Sequence, residues 1–158
     1  MAKPPPSPIV DFARWASGRP QASVRILSPE KARYMNVPNA MVDAVPTKGR
    51  PNKLRASRYM FVPQSIGQAF DSLIKDTGVT WPEETQALSL MTLLHEARHL
   101  RNGKYWQSER RAQAWALGHY MQAANRIGVD PEKAARMYQY VQKYTQSLPP
   151  DYRPRTRP

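Results

Sequence analysis

Two of the three histidines in this 158-residue chain lie four positions apart with a glutamate between them, in the stretch His95-Glu96-Ala97-Arg98-His99. On a helix, residues four apart lie one above the other, so the imidazoles of His95 and His99 can both bind one metal ion. Glu96 then lies beside the metal, where its carboxylate can accept a proton from a bound water. The HExxH pattern therefore predicts a metal site with Glu96 as the catalytic base.

The alternative interpretation is that His95 and His99 are satisfied core histidines and Glu96 is an ordinary helix residue. The surrounding residues indicate a buried helix, because apolar side chains fall on nearly every side of it: Ala87, Leu88, Leu90, Met91, Leu93, Leu94 and Leu100. Three unpaired ionisable groups in such a helix would be costly, and a metal ion explains their presence. The sequence therefore favours a metal site over satisfied core histidines.

The expected limits of this helix come from its flanking residues. Pro82 suits the first helical position, Glu83 and Glu84 suit the positive end of the helix dipole, and Gly103 suits the end of the helix. We expect this helix to be central to the fold.

A catalytic zinc ion commonly has three protein ligands and an open position for water, so a third ligand is needed. The candidates are His119 and a carboxylate, Glu109, at the start of the next predicted helix. A short connection predicts that the two helices are antiparallel, which places Glu109 near His99 and carries His119 toward the far end. Glu109 is our hypothesis for the third ligand. The alternative is that Glu109 is only an acidic residue favoured by the helix dipole.

Cysteine is absent, which excludes disulfides and a thiolate zinc site. Any metal site must therefore use histidine and carboxylate ligands. No apolar run has the length of a signal peptide core or a membrane span, so a cytoplasmic protein without membrane contact is the expectation.

The net charge of +12 comes mostly from the regions that flank the motif. Residues 61–105 are nearly balanced, whereas the preceding and following regions are basic. Such a charge favours non-specific contact with nucleic acid or an acidic partner, and a solvated basic surface is the alternative. The chain gives no indication of an oligomeric state.

Hydrophobic periodicity and turn residues predict the other strands and helices of the chain. Residues 1–22 are rich in proline and basic residues and predict a flexible arm, 23–148 a single domain, and 149–158 a disordered basic tail. Strands are predicted at 23–27, 57–62 and, more weakly, 40–45, with a turn at 48–53. Helices are predicted after Ser65, from Ser108 to about Ile127, and from Pro131 to about Leu148. The fold class predicted from this outline is α+β, with a small N-terminal sheet followed by a mainly helical half.

The motif helix and the segment after it, Glu109-Arg110-Arg111-Ala112, together resemble the HExxH…ExxA arrangement of small gluzincin-type metallopeptidases. ImmA/IrrE-type proteins and the short HExxH proteins of actinobacteria and their phages are the nearest relatives that we can suggest. The resemblance covers residues 57–117. It implies a minimal zincin-like fold, one Zn²⁺ on His95, His99 and Glu109, and Glu96 as catalytic base.

The expected activity is zinc-dependent hydrolysis of peptide bonds in a protein or peptide substrate, with the strand at 57–62 as a candidate edge for substrate pairing. A hydrogen-bond donor that stabilises the oxyanion is also required. The sequence does not select one of the four candidates, Arg98, Tyr105, His119 and Tyr120. The metal could also be another divalent ion. The rival function is a non-catalytic basic module, binding nucleic acid or a regulator protein, whose HExxH is structural or degenerate.

Overall fold

The computed structural model describes residues 7–34, 59–101, 108–151 and 153, which form six helices and one two-stranded sheet. In chain order the elements are α1 (Pro8–Ser17), β1 (Ser23–Leu27), α2 (Pro29–Tyr34), β2 (Tyr59–Pro63), α3 (Gln64–Asp71), α4 (Glu83–Leu100), α5 (Glu109–Arg126) and α6 (Pro131–Ser147). This mixed, mainly helical architecture agrees with the predicted α+β class. The zincin-like fold stays a prediction.

The two strands are parallel, and their register runs from Ser23 opposite Tyr59 to Leu27 opposite Pro63. A parallel pair requires a long crossover connection, which the segment between β1 and β2 provides. The side chains of Met60 and Val62 are buried, so this face of β2 belongs to the core. Both strands lie where the sequence predicted them, whereas the predicted strand at 40–45 and turn at 48–53 lie outside the described residues.

Helix α4 is the centre of the fold and packs against α1, α3, α5, α6 and β2. It is surrounded because its apolar residues face several directions, and Ala87, Leu90, Leu94 and Leu100 are fully buried. Pro82 is the N-cap, so the helix begins at Glu83, one position later than predicted, and two glutamates occupy its first turn. The prediction of a buried central helix is confirmed.

Helix α5 runs antiparallel to α4. The phenol of Tyr120, near the end of α5, donates a hydrogen bond of 2.9 Å to the carbonyl of Ala87, near the start of α4. The start of α5 is fixed by Ser108, whose side chain accepts a hydrogen bond from the Arg111 amide. Helix α6 begins similarly, with the Asp130 side chain accepting from two amides of its first turn. Both caps lie where the sequence predicted them.

The predicted flexible arm over residues 1–22 is wrong for the part that forms α1. Ile9, Phe12, Ala13 and Ala16 have helical spacing and are buried, and Pro8 occupies the first turn. The ring of Phe12 lies 5.1 Å from that of Phe70 on α3, between centroids. The prediction relied on the prolines and charged residues of this region and missed the helical spacing of its apolar residues, which pack into the core.

One face of helix α6 packs into the core. Tyr144 is 38% exposed, and Thr145 is buried among Ala134, Met137 and Val141. Most of the predicted disordered tail lies outside the described residues. In the part of the chain that the structure describes, no helix combines the length and apolar character needed to cross a membrane.

Candidate metal centre

The last two turns of α4 present His95 and His99 on the same buried face of the helix. Their exposed fractions are 7% and 4%. The Nε2 atoms of the two rings lie 3.2 Å apart, which is the consequence of their spacing of four residues on one helix. The structure therefore places the two predicted ligands together.

Glu109 completes the group from the first position of α5. Its Oε2 atom lies 2.7 Å from Nε2 of His95, and its Oε1 atom lies 3.2 Å from Nε2 of His99. The two histidines and Glu109 each offer a ligand atom within 4.8 Å of the others. This convergence follows from the antiparallel packing of α4 and α5, as the sequence predicted.

The Glu109 carboxylate is held in its ionised form. Burial by itself would raise its pKa, but hydrogen bonds and charges from His95 and His99 outweigh burial and lower the pKa to about 2. An ionised carboxylate beside two imidazole nitrogens is a donor set that suits a divalent transition metal.

The pKa of Glu96 is shifted in the opposite direction to that of Glu109. Its side chain is buried, and burial together with the charge of Glu109 raises its pKa well above the usual range. No hydrogen bond to the Glu96 carboxylate is present among the described residues. A perturbed carboxyl next to a possible ligand cluster is a candidate for proton transfer, and a cation in the cluster would favour the ionised form that a general base requires.

Gln113, one turn after Glu109 on α5, is a site residue that sequence reasoning missed. Its side chain is 1% exposed, and Oε1 lies 2.9 Å from Nδ1 of His95. The amide nitrogen of Gln113 contacts the hydroxyl of Thr145 on α6 at 2.7 Å. The sequence signal was its position, because a glutamine four residues after a ligand on a buried helix face is placed to reach the same cluster.

The structure separates His119 from this group. Its Nδ1 atom lies 2.9 Å from the carbonyl of Trp115, and its ring stacks on the Trp115 indole at 4.2 Å between centroids. The phenol of Tyr120 donates its hydrogen bond to the carbonyl of Ala87, and burial raises the pKa of this phenol. Neither is positioned as an oxyanion donor here, and Tyr105 lies outside the described residues.

The group could hold a metal ion, and its separations can be compared with those between the ligand atoms of a zinc site. Ligand bonds of about 2.0–2.2 Å at a tetrahedral angle put neighbouring ligand atoms roughly 3.3–3.5 Å apart. The separation of His99 Nε2 from His95 Nε2 and from Glu109 Oε1 is 3.2 Å in both cases, close to that value. The remaining contact, 2.7 Å from Nε2 of His95, is made by the other carboxylate oxygen of Glu109, Oε2, so the two contacts of Glu109 do not share one oxygen.

Comparison with models of protein families, with curated proteins and with solved structures finds no match to this chain. The site is therefore interpreted from its own residues.

Proposed function

We propose that this protein is a zinc-dependent hydrolase that cleaves peptide bonds. The observation that supports the proposal is the convergence of His95, His99 and Glu109 beside the buried carboxylate of Glu96. Structural histidines in a core rarely share their position with two carboxylates, because burying these charges without a cation is costly. The donor set is the His₂Glu set of catalytic zinc sites.

In this proposal His95, His99 and Glu109 would hold the ion, and water would take the remaining ligand position. The ion supplies Lewis acidity toward a carbonyl oxygen and lowers the pKa of water toward about 7. Glu96 accepts the proton of the attacking water on its carboxylate and later delivers it to the leaving amine. A cation held by the cluster would favour the ionised form of Glu96, which accepts the proton, and the burial that raises the pKa of Glu96 favours the protonated form, which returns it.

The proposed substrate is a protein or peptide in an extended conformation. Strand β2 packs against α4 and, among the described strands, pairs only with β1. One edge of β2 is therefore not paired with a described strand, and a substrate strand could pair there by β-augmentation.

The first test is elemental analysis of purified parent protein beside His99→Ala and His119→Ala. We expect about one zinc per chain in the parent and in His119→Ala, and loss of zinc in His99→Ala, because only His99 belongs to the cluster. A folded parent that contains no metal and takes up no added zinc would contradict the proposal.

The second test addresses the reaction. Glu96→Gln keeps the size of the side chain but removes the base, so we expect retained zinc and abolished cleavage of an unstructured protein or a fluorogenic peptide library. Cleavage by Glu96→Gln at the rate of the parent would exclude Glu96 as the base.

A second candidate function, binding of a polyanion such as nucleic acid, is favoured by arginines near the ends of α4 and α5. Burial and the charges of Arg101 and Arg111 lower the pKa of Arg98, so a bound anion would offset repulsion between these groups. Fluorescence anisotropy with a labelled DNA duplex tests this function. Affinity that falls steeply with salt would support it, and absence of binding at low salt would contradict it.

A further inference from the structure

A chain of hydrogen bonds runs from the metal centre across three helices. It connects His95 on α4 to Gln113 on α5 and then to Thr145 on α6, where the Thr145 hydroxyl lies 2.8 Å from the carbonyl of Val141. All three side chains are at most 7% exposed. Water therefore competes little for these polar groups, and each must be satisfied by its neighbour.

The direction of the chain follows from the Thr145 hydroxyl. Its single hydrogen is donated to the carbonyl of Val141, since a carbonyl can only accept. The hydroxyl oxygen then accepts from the Gln113 amide, at 2.7 Å, so the NH₂ group of Gln113 faces Thr145. The amide oxygen of Gln113 must consequently face His95.

The tautomer of His95 is determined by this orientation. An amide oxygen can only accept, so the Nδ1 atom of His95, 2.9 Å away, must carry the hydrogen and donate it. The Nε2 atom lies 2.7 Å from Oε2 of Glu109 and 3.2 Å from Nε2 of His99, so without a metal it donates a hydrogen to the carboxylate. It is the nitrogen that would give up this hydrogen to bind a metal ion. Metal-binding histidines usually have their second ring nitrogen fixed in this way by an outer partner.

We propose that Gln113 is a positioning residue that orients the His95 ring and selects its metal-binding tautomer, with Thr145 fixing the orientation of the Gln113 amide. This inference rests on the proposed zinc site. It extends the site to α6, because the group that orients Gln113 belongs to that helix.

The test compares four variants of the full-length protein by zinc affinity, measured in competition with a chromophoric chelator. Gln113→Met keeps the length of the side chain but has no strong acceptor, and we expect a 10- to 100-fold loss of zinc affinity. Gln113→Glu keeps an acceptor for Nδ1–H, and the Thr145 hydroxyl can rotate to donate to it, so affinity within about threefold of the parent is expected. Thr145→Val removes the group that orients the amide and should weaken binding less than Gln113→Met does.

Gln86→Met is the matched control. Gln86 is also buried on the face of a helix and donates a 2.8 Å hydrogen bond to Ser72, but it precedes His95 by nine residues, about 13 Å along α4. A loss of stability common to both glutamine sites would appear in this control as well. We expect it to bind zinc as tightly as the parent.

A spectroscopic readout separates positioning from a structural role. In the zinc-loaded parent, the Nδ1–H proton of His95 is buried in a hydrogen bond and should give a slowly exchanging NMR signal. The signal should persist in Gln113→Glu and be lost in Gln113→Met. Parent-like affinity of Gln113→Met, or equal weakening by Gln113→Met and Gln113→Glu, would overturn the inference while the zinc site stands. A parent without zinc would overturn both proposals.

Discussion

The buried carboxylate of Glu96 predicts that a conservative substitution will stabilise the metal-free protein. Its folded-state pKa is raised above the ordinary value of 4.5 by burial and by the charge of Glu109, so folding disfavours its ionised form. Glu96→Gln replaces the carboxylate with a neutral group of the same size. At neutral pH the buried carboxyl must either lose its hydration as an anion or retain a proton that the unfolded chain releases, and we expect its removal to increase the free energy of unfolding by about 1–3 kcal/mol.

The pH dependence gives the sign of the effect. Below pH 4.5 the carboxyl is protonated in both folded and unfolded chains, so the parent carries no penalty. As the pH rises above 4.5, the unfolded chain releases the proton while the folded chain retains it, and the parent loses stability relative to Glu96→Gln. The difference in stability should therefore be small near pH 4 and largest at neutral or mildly basic pH.

The assay is thermal unfolding of chelator-treated parent and Glu96→Gln between pH 4 and pH 8. For a chain of this length, 1–3 kcal/mol corresponds to an increase of roughly 3–10 °C in Tm at neutral pH. Saturating zinc should narrow the difference, since a nearby cation favours the ionised carboxylate. A Tm for Glu96→Gln that is equal to or below that of the parent at pH 8 would refute this account of the site's electrostatics.

Four further predictions concern the metal and the fold. Zinc at 100 times its Kd should stabilise the parent by about 2.7 kcal/mol in thermal unfolding but leave His99→Ala unchanged. Glu109→Ala should fall well below one zinc per chain in elemental analysis, and full occupancy would show that Glu109 is not a ligand. Phe12→Ala should destabilise the fold by about 3–5 kcal/mol in urea unfolding, because the ring is 1% exposed; an unchanged midpoint would show that α1 is not part of the cooperative unit. Asp130→Ala should cost about 1 kcal/mol in the same assay through loss of the α6 cap, and no change would show that the cap contributes little.

The parts of the fold that could be predicted from sequence are those specified by neighbouring residues. Ser108 and Asp130 begin α5 and α6 through hydrogen bonds to amides two or three residues later, so each is recognisable from a few positions. The HExxH motif is similarly local, because two histidines four apart on any helix lie together. Glu109 required one further step, the antiparallel packing implied by a short connection.

The features that were missed depend on contacts between residues far apart in the sequence. Phe12 is recognisable as part of a buried helix only with its partner on α3, because the surrounding prolines and charges resemble an unpacked segment. The contacts of Gln113 could not be predicted from its neighbours in the sequence either, since one of its partners lies on α4 and the other on α6. Its spacing of four residues from Glu109 places it toward the cluster, but this spacing alone does not show that the glutamine is buried or which side chains it contacts.

The charges at the centre of the fold connect the proposed chemistry to the architecture. Helix α4 is enclosed by α1, α3, α5, α6 and β2, yet its buried end holds Glu96 and faces Glu109. When both are ionised, Glu96 and Glu109 carry two negative charges, which one divalent cation would balance. Without the cation the fold must retain a proton on Glu96, in agreement with the raised pKa of that group. Burial and the charge of Glu109 destabilise the ionised Glu96 carboxylate, and the same two factors increase its affinity for a proton. Replacement of Glu96 should therefore increase the stability of the metal-free protein and decrease its activity.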